Sequence, residues 1–253
     1  MFGNILAIMG IMSAMPQEAA SILGNIEQQE TLEVGTHQFV RGILEDTSVV
    51  FTLCGVGKVS AATSATLLIA KFGVNEIIFT GVAGGGSGVE IGDIVIGSTY
   101  LQHDLDPRPI FPPFYVYSLN EQLLRADAHM VHKMKSAADR FLQQTPSFPH
   151  LGITAPKAHI GAIASGDQFI SNAAHHQELI QKTQEVLPNH FQAIEMEGAA
   201  VAQVCNELGI PFVVMRSISD KANHEASVDF LVFIDEVASH YSFGVLKEYL
   251  QMR

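Results

Sequence analysis

The chain has 253 residues, of which 47% are hydrophobic and 16% are charged, and this balance excludes an intrinsically disordered protein. Lys and Arg number 14 against 26 Asp and Glu, a formal net charge of −12, so no nucleic-acid partner is expected. The length suits one large domain, which we predict over residues 1–253. The two cysteines, Cys54 and Cys205, lie in apolar runs and are typical of a reducing compartment.

An apolar run over residues 5–15 opens the chain. No Lys or Arg precedes Arg41, whereas a secretory signal begins with basic residues. The run is also shorter than the roughly 20 residues that a membrane-spanning helix needs. We therefore predict a buried strand over Ile5–Ile11, no membrane partner and a cytoplasmic protein.

Short apolar runs alternate with helical patterns along the chain, which predicts an α/β fold with a covered sheet. The predicted strands after the first are Val49–Cys54, Glu76–Thr80, Asp93–Tyr100, His159–Ala164, Gln192–Glu195 and Phe212–Ser217. The predicted helices are Val59–Phe72, Leu119–Gln144, Asn172–Glu185, Gly198–Leu208 and Asp229–Gln251. A hairpin is predicted over Thr31–Gly42, and irregular segments over the proline-rich Asp104–Phe114 and over Thr145–Pro156.

A glycine-rich segment, Gly81–Gly88, follows one predicted strand and is expected to form a turn. Glycines let a backbone approach a ligand closely, although such a turn can also serve the fold alone. The spacing is not that of a dinucleotide site, and Gly55–Lys58 is not a phosphate-binding P-loop because Val59 follows Lys58. No nucleotide cofactor motif is therefore indicated.

Acidic residues lie at or after the ends of three predicted strands, at Glu18, at Glu195 and Glu197, and at Asp220. Open α/β sheets bind ligands at strand ends, whereas acids there can also cap helices or end loops in solvent. Cleavage of a glycosidic bond uses one carboxyl group as an acid and a second as a base. An apolar surface such as Phe169–Ile170 can stack on a base, or can belong to the core.

Six segments of the chain carry a resemblance to one enzyme family. They are AMPQE (Ala14–Glu18), GVGKVSAA (Gly55–Ala62), TGVAGG (Thr80–Gly85), SGDQFI (Ser165–Ile170), EMEGAAVAQVC (Glu195–Cys205) and RSISDKA (Arg216–Ala222). In this order they resemble the bacterial 5′-methylthioadenosine/S-adenosylhomocysteine nucleosidases of the purine nucleoside phosphorylase superfamily. The resemblance implies a three-layer α/β/α sandwich with a mixed, partly barrel-like sheet, a homodimer, and no metal or organic cofactor.

The resemblance also implies an activity, the hydrolysis of an adenine nucleoside with a 5′-thio substituent. Glu18 would activate water, Asp220 would protonate adenine and Glu197 would bind the ribose hydroxyls. The resemblance further places Met196 under the sugar, Phe169 and Ile170 at adenine, Ala83 and Gly84 on a turn by the base, Arg216 and Ser219 around Asp220, and Met15, Val56 and Phe230 along the 5′ substituent.

Two other activities are compatible with the same residues. A phosphorylase of the same superfamily would need cations for phosphate, and the loop after the first strand offers Glu18 and no cation, which favours water. A non-catalytic nucleoside-binding protein would not need Glu18, Glu197 and Asp220 together.

The 5′ specificity stays open, because Asp104–Phe114 matches the family poorly. Methylthioadenosine, S-adenosylhomocysteine, 5′-deoxyadenosine and 6-amino-6-deoxyfutalosine are all candidate substrates. In relatives this region caps the partner subunit's 5′ pocket, for which Ile110, Phe111 and Phe114 are the candidates here. The eleven histidines show no zinc-site spacing and are expected at the surface or as helix caps, with His103 nearest this loop.

Overall fold

The computed structural model describes residues 7–144, 147–222 and 226–252, with the side chains of 226–229 left out. Its strands are β1 Met9–Ser13, β2 Glu27–Val34, β3 His37–Leu44, β4 Thr47–Leu53, β5 Glu76–Gly85, β6 Ile94–Gln102, β7 Leu124–Arg125, β8 Ala158–Ser165, β9 Ala193–Glu195 and β10 Phe212–Asp220. Its helices are α1 Pro16–Asn25, α2 Lys58–Ala70, α3 Ala128–Gln144, α4 Ala173–Thr183, α5 Gly198–Leu208, α6 Ala226–Phe233 and α7 Ser239–Gln251. A 3₁₀ turn spans Pro149–Leu151, and a π-helical turn, Ile234–Ala238, joins α6 to α7.

The strands form one mixed sheet in the order β10-β6-β8-β9-β5-β1-β4-β3-β2, with β7 on β6. Strand β10 also pairs with β5, so β5, β10, β6, β8 and β9 close into a ring, while β1, β4, β3 and β2 extend from it. The pairs β1–β4, β1–β5, β10–β5, β6–β8 and β8–β9 are parallel, and the others are antiparallel. The predicted mixed and partly barrel-like sheet is confirmed.

Side chains that alternate along the strands fill two large cores, beside a smaller third cluster that contains Leu101 and Ala164, because successive strand residues point to opposite faces. In β1, Ile11 packs into the core that contains α1, α3 and α7, and Met12 packs into the core that contains α2 and α5. In β10, Val213 and Val214 divide between the same two cores. The three-layer arrangement follows from this alternation of apolar residues.

Two predicted boundaries are wrong for identifiable reasons. The segment predicted as a turn, Gly81–Gly88, continues β5 as far as Gly85, because β10 and β9 pair with Gly84 from its two sides. Helix α3 begins at Ala128 and not at Leu119, because Asp127 caps it by accepting the N–H of Met130 at 2.8 Å and a short strand, β7, precedes it.

The other differences lie near the ends of the chain. Helix α1 is absent from the sequence-based predictions, the hairpin is longer than Thr31–Gly42, and the last helical stretch starts at Ala226 and contains the π turn. Strand β1 runs to Ser13, and positions 5, 6, 145 and 146 of the predicted segments lie outside the described residues. Among the described helices, none is long and apolar enough to cross a bilayer.

Candidate active site

A cavity of about 500 Å³ lies where several strands end, and we call it the acid-lined cavity. It is lined by Ala14, Met15, Glu18, Val56, Val82, Ala83, Gly84, Phe169, Ile194, Glu195, Met196, Glu197, Ser219, Asp220, Phe230 and Leu231. All the predicted site residues are in this lining except Ile170 and Arg216. Ile170 borders a small adjoining space that it shares with Phe169 and Asp220, and Arg216 is buried beneath the cavity.

Glu18 is held at the cavity by the start of α1. Pro16 occupies the first turn, where its missing N–H is not needed, and Glu18 follows at the third helical position. The carboxylate accepts the N–H groups of Ala14 at 2.9 Å and Met15 at 2.8 Å on Oε2, and that of Val82 at 3.0 Å on Oε1. Burial raises the pKa of Glu18, against the lowering effects of Arg216 and these backbone donors.

A glycine of β5 makes room for this carboxylate. A Cβ atom at Gly81 would lie 2.7 Å from Oε1 of Glu18 and 2.9 Å from Nη1 of Arg216. The close approach, and not a turn, therefore explains this glycine of the TGVAGG segment.

Two glutamates at the start of α5 surround one arginine. Glu195 accepts Nη2 of Arg216 at 2.7 Å and Nε at 3.2 Å, and Glu197 lies 3.8 Å from Nη2. Glu195 also accepts the hydroxyl of Ser165 and the N–H groups of Glu197 and Gly198, at 3.2 and 2.8 Å, so it caps α5. Arg216, expected near Asp220, thus serves as the buried counter-ion of the glutamates.

Glu197 lines the cavity from the N-cap position of α5. Its Oε1 accepts the N–H of Gly57 at 2.8 Å. Burial raises the pKa of Glu197, and the neighbouring Glu195 raises it further, while Arg216 lowers it. Glu197 is thus held by one backbone donor on Oε1 and lies 3.8 Å from the Arg216 guanidinium on Oε2.

Asp220 reaches the cavity through an irregularity in β10. Ile218 pairs with Ala83 and Asp220 with Gly84, so Ser219 is the extra residue of a β-bulge. The Ser219 hydroxyl donates to Oδ2 of Asp220 at 2.8 Å, and the N–H of Ala222 donates to Oδ1 at 2.8 Å. The bulge turns two consecutive polar residues toward the same cavity.

The entrance to the cavity is apolar. Phe169 is 47% exposed and its ring meets that of Phe230 edge to face, with 5.6 Å between centroids. Val56 and Leu231 are exposed beside them. A cavity with an apolar entrance and acidic groups at its base suits a small amphipathic ligand.

Charges around the cavity are of one sign. Glu18, Glu195, Glu197 and Asp220 line it, and no Lys or Arg does so among the described residues. Within those residues there is also no group of three His, Cys, Asp or Glu side chains that could hold a metal ion.

Two predictions about the loop after β6 are wrong. His103 is buried, and not at the surface, because its ring packs against Gly166. Phe114 is buried as well and so is not available to cap a partner's pocket, whereas Ile110 is 79% exposed. Phe111 stacks on Tyr115 with 5.1 Å between ring centroids.

Replacement of Arg216 tests the buried charge cluster. Arg216→Met leaves Glu195 and Glu197 buried without their counter-ion, so we expect the free energy of unfolding to fall by about 3–5 kcal/mol. Arg41→Met is the matched control, because it removes an exposed pair with Glu30 and is expected to cost less than about 1 kcal/mol. Urea unfolding measures both, and similar values for the two variants would contradict this account of Arg216.

Comparisons with known proteins show the family of this chain. The sequence matches the family model of the phosphorylase superfamily over residues 8–251, so the chain belongs to that superfamily. The 5′-methylthioadenosine/S-adenosylhomocysteine nucleosidase of Shewanella loihica is 35% identical over 240 residues, which are 94% of this chain and 96% of the relative. The chain therefore belongs to the nucleosidase family of that name.

Solved structures agree with this assignment. The nucleosidase of Neisseria meningitidis in complex with methylthio-immucillin-A superposes with a TM-score of 0.85 and 28% identity, over 98% of this chain and 100% of that chain. The Colwellia psychrerythraea nucleosidase in complex with adenine gives a TM-score of 0.84 and 30% identity, over 96% and 94%. A futalosine hydrolase of Helicobacter pylori gives 0.83 and 28%, over 99% and 100%. The predicted family and enzyme class, an N-glycosyl hydrolase, are confirmed.

Sequence reasoning left out one residue of the site that the structure makes prominent. Glu195 was recognised as the end of a strand but was given no role. Its position three residues before the first residue of a helix, and two before a second glutamate, is the signal that indicates a cap. Its pairing with Arg216 has no sequence signal, because 21 residues separate the two.

Proposed function

We propose that this chain hydrolyses the N-glycosidic bond of 5′-methylthioadenosine and S-adenosylhomocysteine and releases adenine. The observation that carries the proposal is the placement of Glu18, Glu197 and Asp220 around one cavity with an apolar entrance and no cationic lining residue among those described. Cleavage of a glycosidic bond needs a base for water and an acid for the leaving group, and these carboxyl groups supply both.

In the proposed reaction each of the three carboxyl groups has one role. Oxygen of a water molecule bonds to C1′ of the ribose while Glu18 accepts a proton from that water. The C1′–N9 bond breaks, its electron pair stays on adenine, and Asp220 donates a proton to N7 of the base. Glu197 accepts hydrogen bonds from the ribose hydroxyls, and Met196 packs under the sugar.

The remaining residues in and beside the cavity lining supply shape. Phe169 stacks on adenine, the Ile170 backbone reads the edge of the base, and the strand residues Ala83 and Gly84 lie beside it. Met15, Val56 and Phe230 contact the 5′ substituent. The apolar contacts exclude water other than the nucleophile, which strengthens every charge interaction in the cavity.

Water is favoured over phosphate as the nucleophile. Phosphate carries about two negative charges at neutral pH and is usually bound by Arg or Lys. Glu18 lies in the first turn of α1, just after β1, and the guanidinium of Arg216 is already paired with Glu195 at 2.7 Å. A phosphate dianion would therefore enter a cavity of its own sign.

The effect of phosphate on turnover tests the choice of nucleophile. Adenine release from methylthioadenosine is measured in phosphate-free buffer and again after phosphate is added. We expect the same rate in both, because water alone completes the reaction. A rate that depends on phosphate would assign the chain to the phosphorylases instead.

A second candidate substrate is 6-amino-6-deoxyfutalosine, because the futalosine hydrolase of Helicobacter pylori shares this fold over nearly the whole chain. It also offers an N-glycosidic bond to adenine and differs at the 5′ side. Relative kcat/KM values for methylthioadenosine, S-adenosylhomocysteine, 5′-deoxyadenosine and this compound rank the substrates. A kcat/KM highest for 6-amino-6-deoxyfutalosine would replace the first proposal with the second.

The oligomeric state and location belong to the same proposal. A homodimer is supported by the exposed Ile110 and Tyr117 in and beside the proline-rich loop, since exposed apolar groups commonly mark protein contacts. A cytoplasmic location is supported by Cys54 and Cys205, which are buried free thiols. One domain over residues 1–253 stays a prediction.

Substitution of Gly81 tests the close approach to Glu18. The Cβ atom of Gly81→Ala would meet Oε1 of Glu18 at 2.7 Å, and three backbone donors hold that carboxylate in place. We expect kcat/KM to fall about 10–100-fold, because a misplaced general base loses part of its effect. The control is Gly24→Ala, where a Cβ meets nothing within 4 Å. Equal activity of the two variants would contradict this role of Gly81.

A further inference from the structure

Three charged residues outside the acid-lined cavity connect the loops that follow β4, β6 and β8. Nζ of Lys58 donates to Oδ1 of Asp104 at 2.6 Å. Oδ2 of Asp104 accepts the N–H of Asp167 at 2.9 Å, and Oδ1 of Asp167 accepts the N–H of Lys58 at 2.8 Å. These hydrogen bonds form a closed cycle, which we call the Lys58 cycle, and none of its members lines the cavity.

The Lys58 cycle is joined to the cavity at two points. Gly57, directly before Lys58, donates its N–H to Oε1 of Glu197 at 2.8 Å. Its φ of 99° lies in the region that favours glycine, and a Cβ there would lie 3.2 Å from Oδ1 of Asp167. The second point is Phe169, two residues after Asp167 on the same loop.

The interactions around Lys58 fix its side chain from two directions. Besides Asp104, its ammonium group donates to Oε1 of Gln102 at 3.1 Å, and Gln102 in turn donates to Gln203 of α5 at 2.7 Å. The side chains of Lys58 and Asp104 are 16% and 28% exposed. Burial opposes ionisation of Asp104, but the hydrogen bonds from Lys58 and from the N–H of Asp167, together with the nearby charges, outweigh it, and the pKa of Asp104 is lowered.

We propose that Lys58, Asp104 and Asp167 are positioning residues for the reaction described above. By holding the N–H of Lys58 on Asp167, the cycle fixes the direction of the preceding Gly57 N–H, and this N–H orients Glu197 toward the ribose hydroxyls. The same cycle holds the loop that presents Phe169 to the base. The inference rests on the proposed function, since it concerns the ribose contact of Glu197.

Turnover of three substrates by Lys58→Met tests the inference. The substrates are methylthioadenosine and its 2′-deoxy and 3′-deoxy analogues. We expect kcat/KM for methylthioadenosine to fall about tenfold, because a partly exposed charge-assisted hydrogen bond is lost. The loss should be smaller for the analogue that lacks the hydroxyl bound by Glu197, because two changes that act on one interaction are not additive.

The matched control is Lys135→Met, which removes a lysine–aspartate pair of the same length, 2.6 Å to Asp139, on α3. This variant should leave kcat/KM unchanged for all three substrates. Equal losses by Lys58→Met on all three substrates, or losses no larger than those of the control, would overturn the inference. If Lys58→Met does not fold, Asp104→Asn replaces it, with the same expected pattern.

Failure of the proposed function is distinguishable from failure of this inference, because the wild-type protein itself would then release no adenine. In that case hydrogen exchange of the Gly57 amide tests the positioning without turnover. We expect this amide to exchange faster in Lys58→Met than in the wild type and in Lys135→Met. Unchanged exchange would overturn the inference.

Discussion

Asp220→Asn is expected to lower kcat/KM for methylthioadenosine by about 10²–10⁴-fold, the usual contribution of a general acid. Asparagine can keep the local structure, because its oxygen can accept the N–H of Ala222 and its amide can donate to the hydroxyl of Ser219. What it cannot do is transfer a proton to adenine. The expected change is therefore in catalysis and not in folding, and steady-state kinetics together with thermal unfolding measure the two separately.

A substrate whose leaving group needs no proton makes this test specific. Toward a nitrophenyl glycoside of methylthioribose, Asp220→Asn should lose far less activity than toward methylthioadenosine. Asp139→Asn, on the surface of α3, serves as the control and should behave as wild type on both. Equal losses of Asp220→Asn on the two substrates would remove Asp220 from the role of acid.

Glu18→Gln is expected to have an effect of similar size, about 10²–10⁴-fold in kcat/KM, because an amide cannot accept the proton of the attacking water. Its consequences for folding differ from those of Asp220→Asn. Both oxygens of Glu18 accept backbone N–H groups, at 2.8–3.0 Å. The amide nitrogen must face one of these donors, which costs about 1–3 kcal/mol of stability.

The pH dependence of the wild-type enzyme gives a second view of Glu18. Its pKa is raised by burial, and the base is active only when ionised. Activity should therefore fall as the pH falls through this raised pKa, at a pH above the ordinary value of 4.5. Glu178→Gln, on the exposed face of α4, should leave both kcat/KM and this acid limb unchanged. A wild-type-like kcat/KM in Glu18→Gln would show that another group activates the water.

Much of the fold was predictable from the sequence because the strands are apolar runs covered on both faces. The central strands β4, β6, β8 and β10 lie where such runs were found. Helix α1 was not predictable in this way, because its short apolar pattern, Ala19 and Ile22, offers little helical periodicity. The extension of β5 through Gly85 was also hidden, because it depends on pairing with strands more than 100 residues away.

The residues of the site were likewise predictable only in part. Motifs that resemble a known family indicate Glu18, Glu197 and Asp220, and the structure places all three at one cavity. Partnerships between distant residues carry no local signal, so neither the pairing of Arg216 with Glu195 nor the Lys58 cycle could be predicted. Both connect segments that meet only after the sheet has closed into its ring.

The sugar product formed from methylthioadenosine is the measurement that tests the central claim most directly. The wild-type protein is incubated with the substrate in phosphate buffer until conversion is complete. The products are then separated, identified by mass spectrometry and quantified. We expect adenine and free methylthioribose, in equal amounts, even with phosphate in excess. Methylthioribose 1-phosphate as the product would contradict the central claim, and so would an unchanged substrate.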